Sequence, residues 1–277
     1  MSVRRRAGVD EPRTVQAAAV AAFGGMLLRD LRVLTTERGR FLLRTVSQPL
    51  LLVFVFTYVF PTIGQGFRTG AGQSFTDVLV PGVVAIAILV KGIQAVALPL
   101  VQEFGYTREI EDRVMAPLPV WAVAVEKIVA GAAQGLIAAA IVFPIARFVP
   151  AEPVELTISW PVLVGVLVLA PLLASAVGLV LGTVVEPNQV PLMFSVVILP
   201  VTFLGATYFP WADLDAIPWL QVAVLANPLV YMAEGFRMAL TPHLPHMAPW
   251  AIFSGLAGFT LVAGYAGIQG FEHRVRS

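Results

Sequence analysis

The sequence predicts an all-α integral membrane protein that crosses the bilayer six times. Three observations predict it. The 277 residues are 58% hydrophobic and only 13% charged, about half of the ~25% charge that a soluble domain uses to cover its surface. Six hydrophobic runs follow one another, most of them near the ~20 residues that span ~30 Å of hydrocarbon at ~1.5 Å per residue. Nine of the eighteen Lys and Arg residues lie before position 45, which crowds positive charge onto one side of the membrane.

The chain divides into an N-terminal segment, 1–44, and a six-span domain, 45–277. Arg4, Arg5 and Arg6 precede a short apolar stretch. No small-residue cleavage triplet follows it, so a cleaved signal is not expected. Phe23, Leu27, Leu31 and Leu34 recur at helical spacing while Arg29, Arg32 and Arg40 point elsewhere. This pattern predicts a helix over about 15–38 that lies on the membrane interface, apolar side in lipid. The crossings are expected at 45–60, 78–101, 120–148, 160–185, 190–209 and 250–271. In lipid an unpaired backbone amide finds no water, so each run should be helical.

Orientation follows from the flanking basic residues. With the N-terminus inside, the inner segments hold the nine early arginines plus Arg108, Arg113, Arg274 and Arg276; the outer ones hold only Arg68, Arg147 and Arg237. Both termini are therefore expected in the cytoplasm of a bacterial inner-membrane protein.

Two connections stand out. The inner loop 102–119 is longer than a turn between spans requires. Thr107 can cap a short helix there, Pro117 and Pro119 end it, and Ile110, Val114 and Met115 give it an apolar side. Arg108, Glu109, Asp112 and Arg113 supply dense mixed charge, as a docking helix for a soluble partner would. The outer stretch 210–249 is divided by six prolines yet keeps two apolar pieces, 220–229 and 230–240. Two short helices dipping into the outer leaflet are expected, with Trp211 and Trp219 at the interface.

Bond chemistry has no visible seat. Cysteine is absent, which excludes disulfides and thiolate sites. There is no Walker phosphate loop, no H-E-x-x-H and no G-x-S-x-G. His243 and His246 lack a carboxylate neighbour and are expected to be ordinary loop histidines. Asp213 and Asp215 are expected to cap a helix or sit in solvent. Net charge of +1 offers nothing to nucleic acid. Ionisable residues inside spans need a buried partner or a wet path. Lys91, with Gln94 one turn on, either lines a cavity or pairs for assembly. Glu126 and Lys127 are expected to reach toward the headgroups. Glu234 and Arg237 are three apart and can pair on one helix face, either as a local pair or as an outer gate.

Several of these residues together resemble a known family. Val80-Pro81-Gly82 opens the second run. The loop from Arg108 to Pro119 is followed by Glu126-Lys127. Pro187-Asn188-Gln189 leads to Tyr208-Phe209-Pro210, then to Asn227-Pro228-Leu229-Val230-Tyr231 and Glu234-Gly235-Phe236-Arg237. In this order the set is similar to the permeases of the ABC-2 exporter family, especially those of the daunorubicin-resistance type. The chain departs from the family at Glu109-Ile110-Glu111, where Gly-Thr often stands.

The resemblance implies six spans, an interfacial helix, a cytoplasmic coupling helix and two external re-entrant helices. It implies two copies of a separate ATPase, which would bind ATP and Mg, and a second permease copy or paralogue in the bilayer. No cofactor is expected on this chain. Coupling would run through Arg108, Glu109, Ile110, Asp112, Arg113 and Val114. Lys91, Gln94, Tyr231, Glu234 and Arg237 are the candidate path or gate. The cargo would be an amphipathic drug, lipid or glycolipid. The competing expectation is a secondary transporter or channel that uses no ATP; a membrane enzyme fits less well, for want of a catalytic constellation.

Overall fold

The computed structural model describes residues 15–36, 38–63, 74–107, 119–151 and 154–276. Every regular element in them is helical. α1 covers Val15–Thr36. α2 covers Arg38–Phe54 and runs through a π-helical turn, Val55–Val59, into Phe60–Thr62. α3 covers Phe75–Gln102 and also ends in a π-turn, Glu103–Thr107. α4 is Val120–Phe148 and α5 is Trp160–Val184. α6 is the apolar helix Pro187–Phe203, with a π-turn at Phe194–Ile198. α7 is Pro218–Ala223, α8 is Pro228–Leu240 and α9 is Pro249–Arg276.

Among the described residues, five helices are long and apolar enough to cross a membrane: Thr45–Thr62, Phe75–Gly105, Val120–Phe148, Trp160–Val184 and Pro249–Arg276. They match five of the six runs. The remaining run was expected to stay helical to position 209, but α6 stops at Phe203. The chain then turns through Ala206, whose φ of 53° lies in the left-handed region that L-residues avoid. The helix hydrogen-bond pattern cannot pass such a residue. A helix stands at the N-terminal position expected for one, as α1, with Val20 and Leu28 exposed and Met26 against the core.

α3 is the axis of the bundle. Of its most apolar stretch 67% is buried, against 17% for α9, so α9 turns most of its surface outward. Between apolar helices in lipid, attraction comes from close packing rather than from expulsion of water. The seam between α3 and α5 shows how. Ala174, Gly178 and Gly182 recur at intervals of four along one face of α5. A Cβ on Gly178 would lie 2.9 Å from the Ile93 Cα, and one on Gly182 would lie 3.0 Å from the Ala97 Cα. The two backbones thus meet with no side chain between them. Gly82 plays the same part nearer the start of α3: its missing Cβ would lie 2.5 Å from the Thr207 carbonyl oxygen.

Replacing Gly178 by Val should force the α3–α5 seam apart. Overpacking of this kind costs about 1–3 kcal/mol. The thermal unfolding midpoint of the purified protein should fall, whereas Gly264→Ala, whose added methyl meets nothing within 4 Å, should leave it unchanged.

Candidate functional site

Buried charge gathers in two places, at opposite ends of α3. One is the end that carries α7 and α8. Glu234 and Arg237 face the same side of α8, as their spacing predicts, and both are fully buried. The Arg237 Nη1 pairs with Glu234 Oε1. The carboxylate also accepts the Trp211 backbone N–H at 2.9 Å and the Met247 backbone N–H at 2.7 Å. The second guanidinium nitrogen donates to the Ala206 carbonyl at 2.9 Å. Trp211 opens a 3-10 turn, Trp211–Ala216, and the first amides of such a turn have no partner within it. Glu234 therefore supplies what that turn lacks, while Arg237 holds the strained Ala206 in place. The pair lies on one helix face and ties three separate loops to α8.

The sequence placed the break in 210–249 between 229 and 230. It falls instead at Asn227, because Pro228 sits in the first turn of α8, where its missing N–H costs nothing. The Asn227 side chain accepts from Leu229 N at 2.9 Å and donates to the Val201 carbonyl of α6 at 2.8 Å. The other end of α8 is closed by the extended segment after α4. Thr157 and Ser159 donate their N–H groups to the Leu240 and Ala239 carbonyls, and Asp77 on α3 accepts from Glu155 N at 3.1 Å. Asp213 and Asp215 are exposed. Among the described residues no group of three His, Asp or Glu could hold a metal ion.

The second place is the end from which 108–118 departs. Lys127 was expected to reach for the headgroups; it is buried and pairs with Glu103 at 2.9 Å. Glu126 is also fully buried. Neither side chain snorkels, because α1 and the foot of α3 pack over this part of α4. Beside the pair, Phe104 meets the Phe271 ring edge-on at 5.8 Å, and the Arg274 guanidinium lies 5.0 Å from the Phe104 centroid. Arg274 also donates to the Thr183 carbonyl at 2.5 Å, an open acceptor at the end of α5. Gly105 leaves room for the Pro187 ring. Residues 103–105 thus touch α4, α6 and α9, and reach α5 through Arg274.

Sequence reasoning missed this junction. Glu103 and Lys127 are 24 residues apart, and nothing local links them. The candidate coupling residues Arg108, Glu109, Ile110, Asp112, Arg113 and Val114 lie outside the described residues; Thr107 closes the preceding π-turn.

The remaining candidates separate. Lys91 and Gln94 line a small cavity of about 40 Å³ between α2 and α3, with Thr45 and Pro49. Tyr231 lines a different space, against α9: its hydroxyl donates to the Leu225 carbonyl at 3.1 Å and its ring lies 5.6 Å from Phe259. The structure therefore does not bring the five path candidates together.

With this geometry in hand, comparison with known proteins is informative. Residues 22–241 match the family model described as ABC-2 type transporter. The chain is similar to the inner membrane transport permease YadH of Escherichia coli K12, with 28% identity over 202 residues, covering 72% of this chain and 76% of that one. The same figures hold for YadH of Escherichia coli O157:H7 and of Shigella flexneri.

Glu234→Gln should be severely destabilising. It leaves the Arg237 charge buried without its counterion, a change that typically costs about 3–5 kcal/mol. Glu234→Gln combined with Arg237→Met should recover part of the loss, because the stranded charge is gone. Thermal unfolding of the two purified variants measures the difference; equal midpoints for Glu234→Gln and the parent would contradict it.

Proposed function

The chain belongs to the ABC-2 type transporter family, and on that premise we propose that it is the permease subunit of an ATP-driven exporter. It forms the path for an amphipathic drug, lipid or glycolipid. ATP and Mg bind to a separate ATPase, present in two copies, and a second permease copy or paralogue completes the path. The five long helices and α6 make six crossings. α1 lies on the inner interface, α7 and α8 form the external re-entrant hairpin, and both termini are cytoplasmic.

One observation carries this reading. The loop 108–118 leaves a junction that contacts three helices and reaches a fourth: Glu103 pairs with Lys127 of α4, Phe104 meets Phe271 and Arg274 of α9, Gly105 lies against Pro187 at the start of α6, and Arg274 bonds Thr183 of α5. A flexible connector would need no such footing. A push delivered to the loop by a partner reaches α4, α5, α6 and α9 together. Ligand-driven coupling requires contacts that differ between two states, and a junction shared by several helices is where one displacement can change many contacts. The chain has no phosphate loop of its own, so the push must come from another subunit.

Ile110 and Val114 form the apolar anchor of the docking helix, and Glu109, Asp112 and Arg113 form its charged rim. Burying two aliphatic side chains contributes about 1.5–3 kcal/mol each. Replacing both by Asp should therefore release the ATPase on co-purification and abolish transport-stimulated ATP hydrolysis. The purified permease alone should hydrolyse no ATP. Normal export by the double variant, or export without any ATPase, would favour a secondary transporter.

Topology is tested independently on the natural cysteine-free background. Cysteines at Ser74, Thr157 and His243 should react with an impermeant thiol reagent in intact cells. One at Asn188, which is exposed at the other end of the bundle, should react only after lysis. The opposite pattern would invert the orientation.

A further inference from the structure

An apolar groove of about 640 Å³ runs between α9 and the segment from Trp211 to Ala248. Its size is within the range of small-ligand sites, roughly 300–1,000 Å³, but its chemistry is unusual. Three of the side-chain donors around it are already used inside the protein. Trp211 Nε1 donates to the Gln221 carbonyl at 3.0 Å, the Tyr231 hydroxyl to Leu225, and Ser254 Oγ to the Ala251 carbonyl at 3.2 Å. Of the side-chain groups, only the indole N–H of exposed Trp250 and the acceptor lone pairs of the two hydroxyls remain. So sparse a polar lining favours a hydrocarbon occupant.

The shape of the groove selects which hydrocarbon. Along α9 its wall runs from Trp250 to Val262, the first half of a 28-residue helix. At ~1.5 Å per residue this is about 18 Å, close to the ~15 Å depth of one leaflet's hydrocarbon. The groove is therefore one leaflet deep and lies along the helix, from its end to its middle. Exposed Trp250 marks the mouth, where indole rings prefer the headgroup level. The far end stops at mid-membrane. A glycine, Gly258, leaves part of the wall bare: a Cβ there would meet nothing within 4 Å.

We propose that this groove is a site for one acyl chain of a membrane phospholipid, taken from the leaflet at the α7–α8 end and held against Tyr231 and Phe259. A helix of a second copy is a worse fit, because a chain-wide slot ending at mid-membrane matches the reach of a single lipid tail.

The test uses the purified full chain in nanodiscs of phosphatidylcholine brominated at mid-chain. Trp121, Trp160, Trp219 and Trp250 are replaced by Phe, so that Trp211, in the groove wall, is the only indole. Bromine in the groove should quench it strongly. Gly258→Leu fills the slot without touching the fold and should remove most of that quenching. Gly264→Leu, equally open to space but outside the groove, should retain it. If the Gly258→Leu chain does not purify as a single species, Ser254→Leu, exposed in the same groove, replaces it in the comparison. Equal quenching with the slot filled would mean bulk lipid only and would overturn the proposal. Absence of quenching in the parent, as when another protein chain covers the groove, would overturn it too. The reading is taken without an ATPase, so its outcome is separate from whether export is ATP-coupled.

Discussion

A carboxylate and a guanidinium with no access to water hold one end of this protein together. In a membrane-embedded fold, backbone groups left by broken helices cannot fall back on solvent. The stretch after α6 is broken repeatedly, at Ala206, at the Trp211 turn and before α9. Glu234 and Arg237 gather one loose group from each of these places onto α8. The same network that stabilises the region also fixes it in one arrangement, since each loop has its partner only when all three are in place.

The opposite end of α3 uses charge differently. There the Glu103–Lys127 pair lies at the edge of a cluster of rings and a cation, Phe104, Phe271 and Arg274. The two ends are joined by α3, whose close contact with α5 through Gly178 and Gly182 leaves little compliance between them. Helices packed backbone to backbone move as a body more readily than they bend, because tightly packed contacts are not continuously deformable. Movement at the junction would then be carried along α3 rather than absorbed by it.

Much of the fold was legible because hydropathy is a local property. The run 120–148 is the helix Val120–Phe148, and 160–185 differs from Trp160–Val184 by one residue; membrane insertion asks each segment to be helical without reference to its neighbours. What was not legible depended on partners. The i, i+3 spacing of Glu234 and Arg237 says that they share a face, but not that the face is dry. Lys127 looked like a residue near a helix end, and only the packing of α1 and of Glu103 removes it from water. The end of α6 at Phe203 could not be found from composition, since 204–209 holds no charge and no proline to stop a helix; the turn depends on contacts of Gly205, Ala206 and Thr207 with α8 and α3. Lys91 and Tyr231 were grouped by chemistry, and the fold places them on different cavities.

The π-helical turns in α2 and in α6 each store one surplus residue within a continuous helix. Successive residues on a helix are offset by about 100° around its axis. A surplus that slips one position along the helix therefore re-aims a single side chain by that angle, while the helix ends and their anchors remain where they were. Such a helix can change what it presents to a neighbouring surface by internal bookkeeping of its turns, with no hinge, no unfolding and no net change in length.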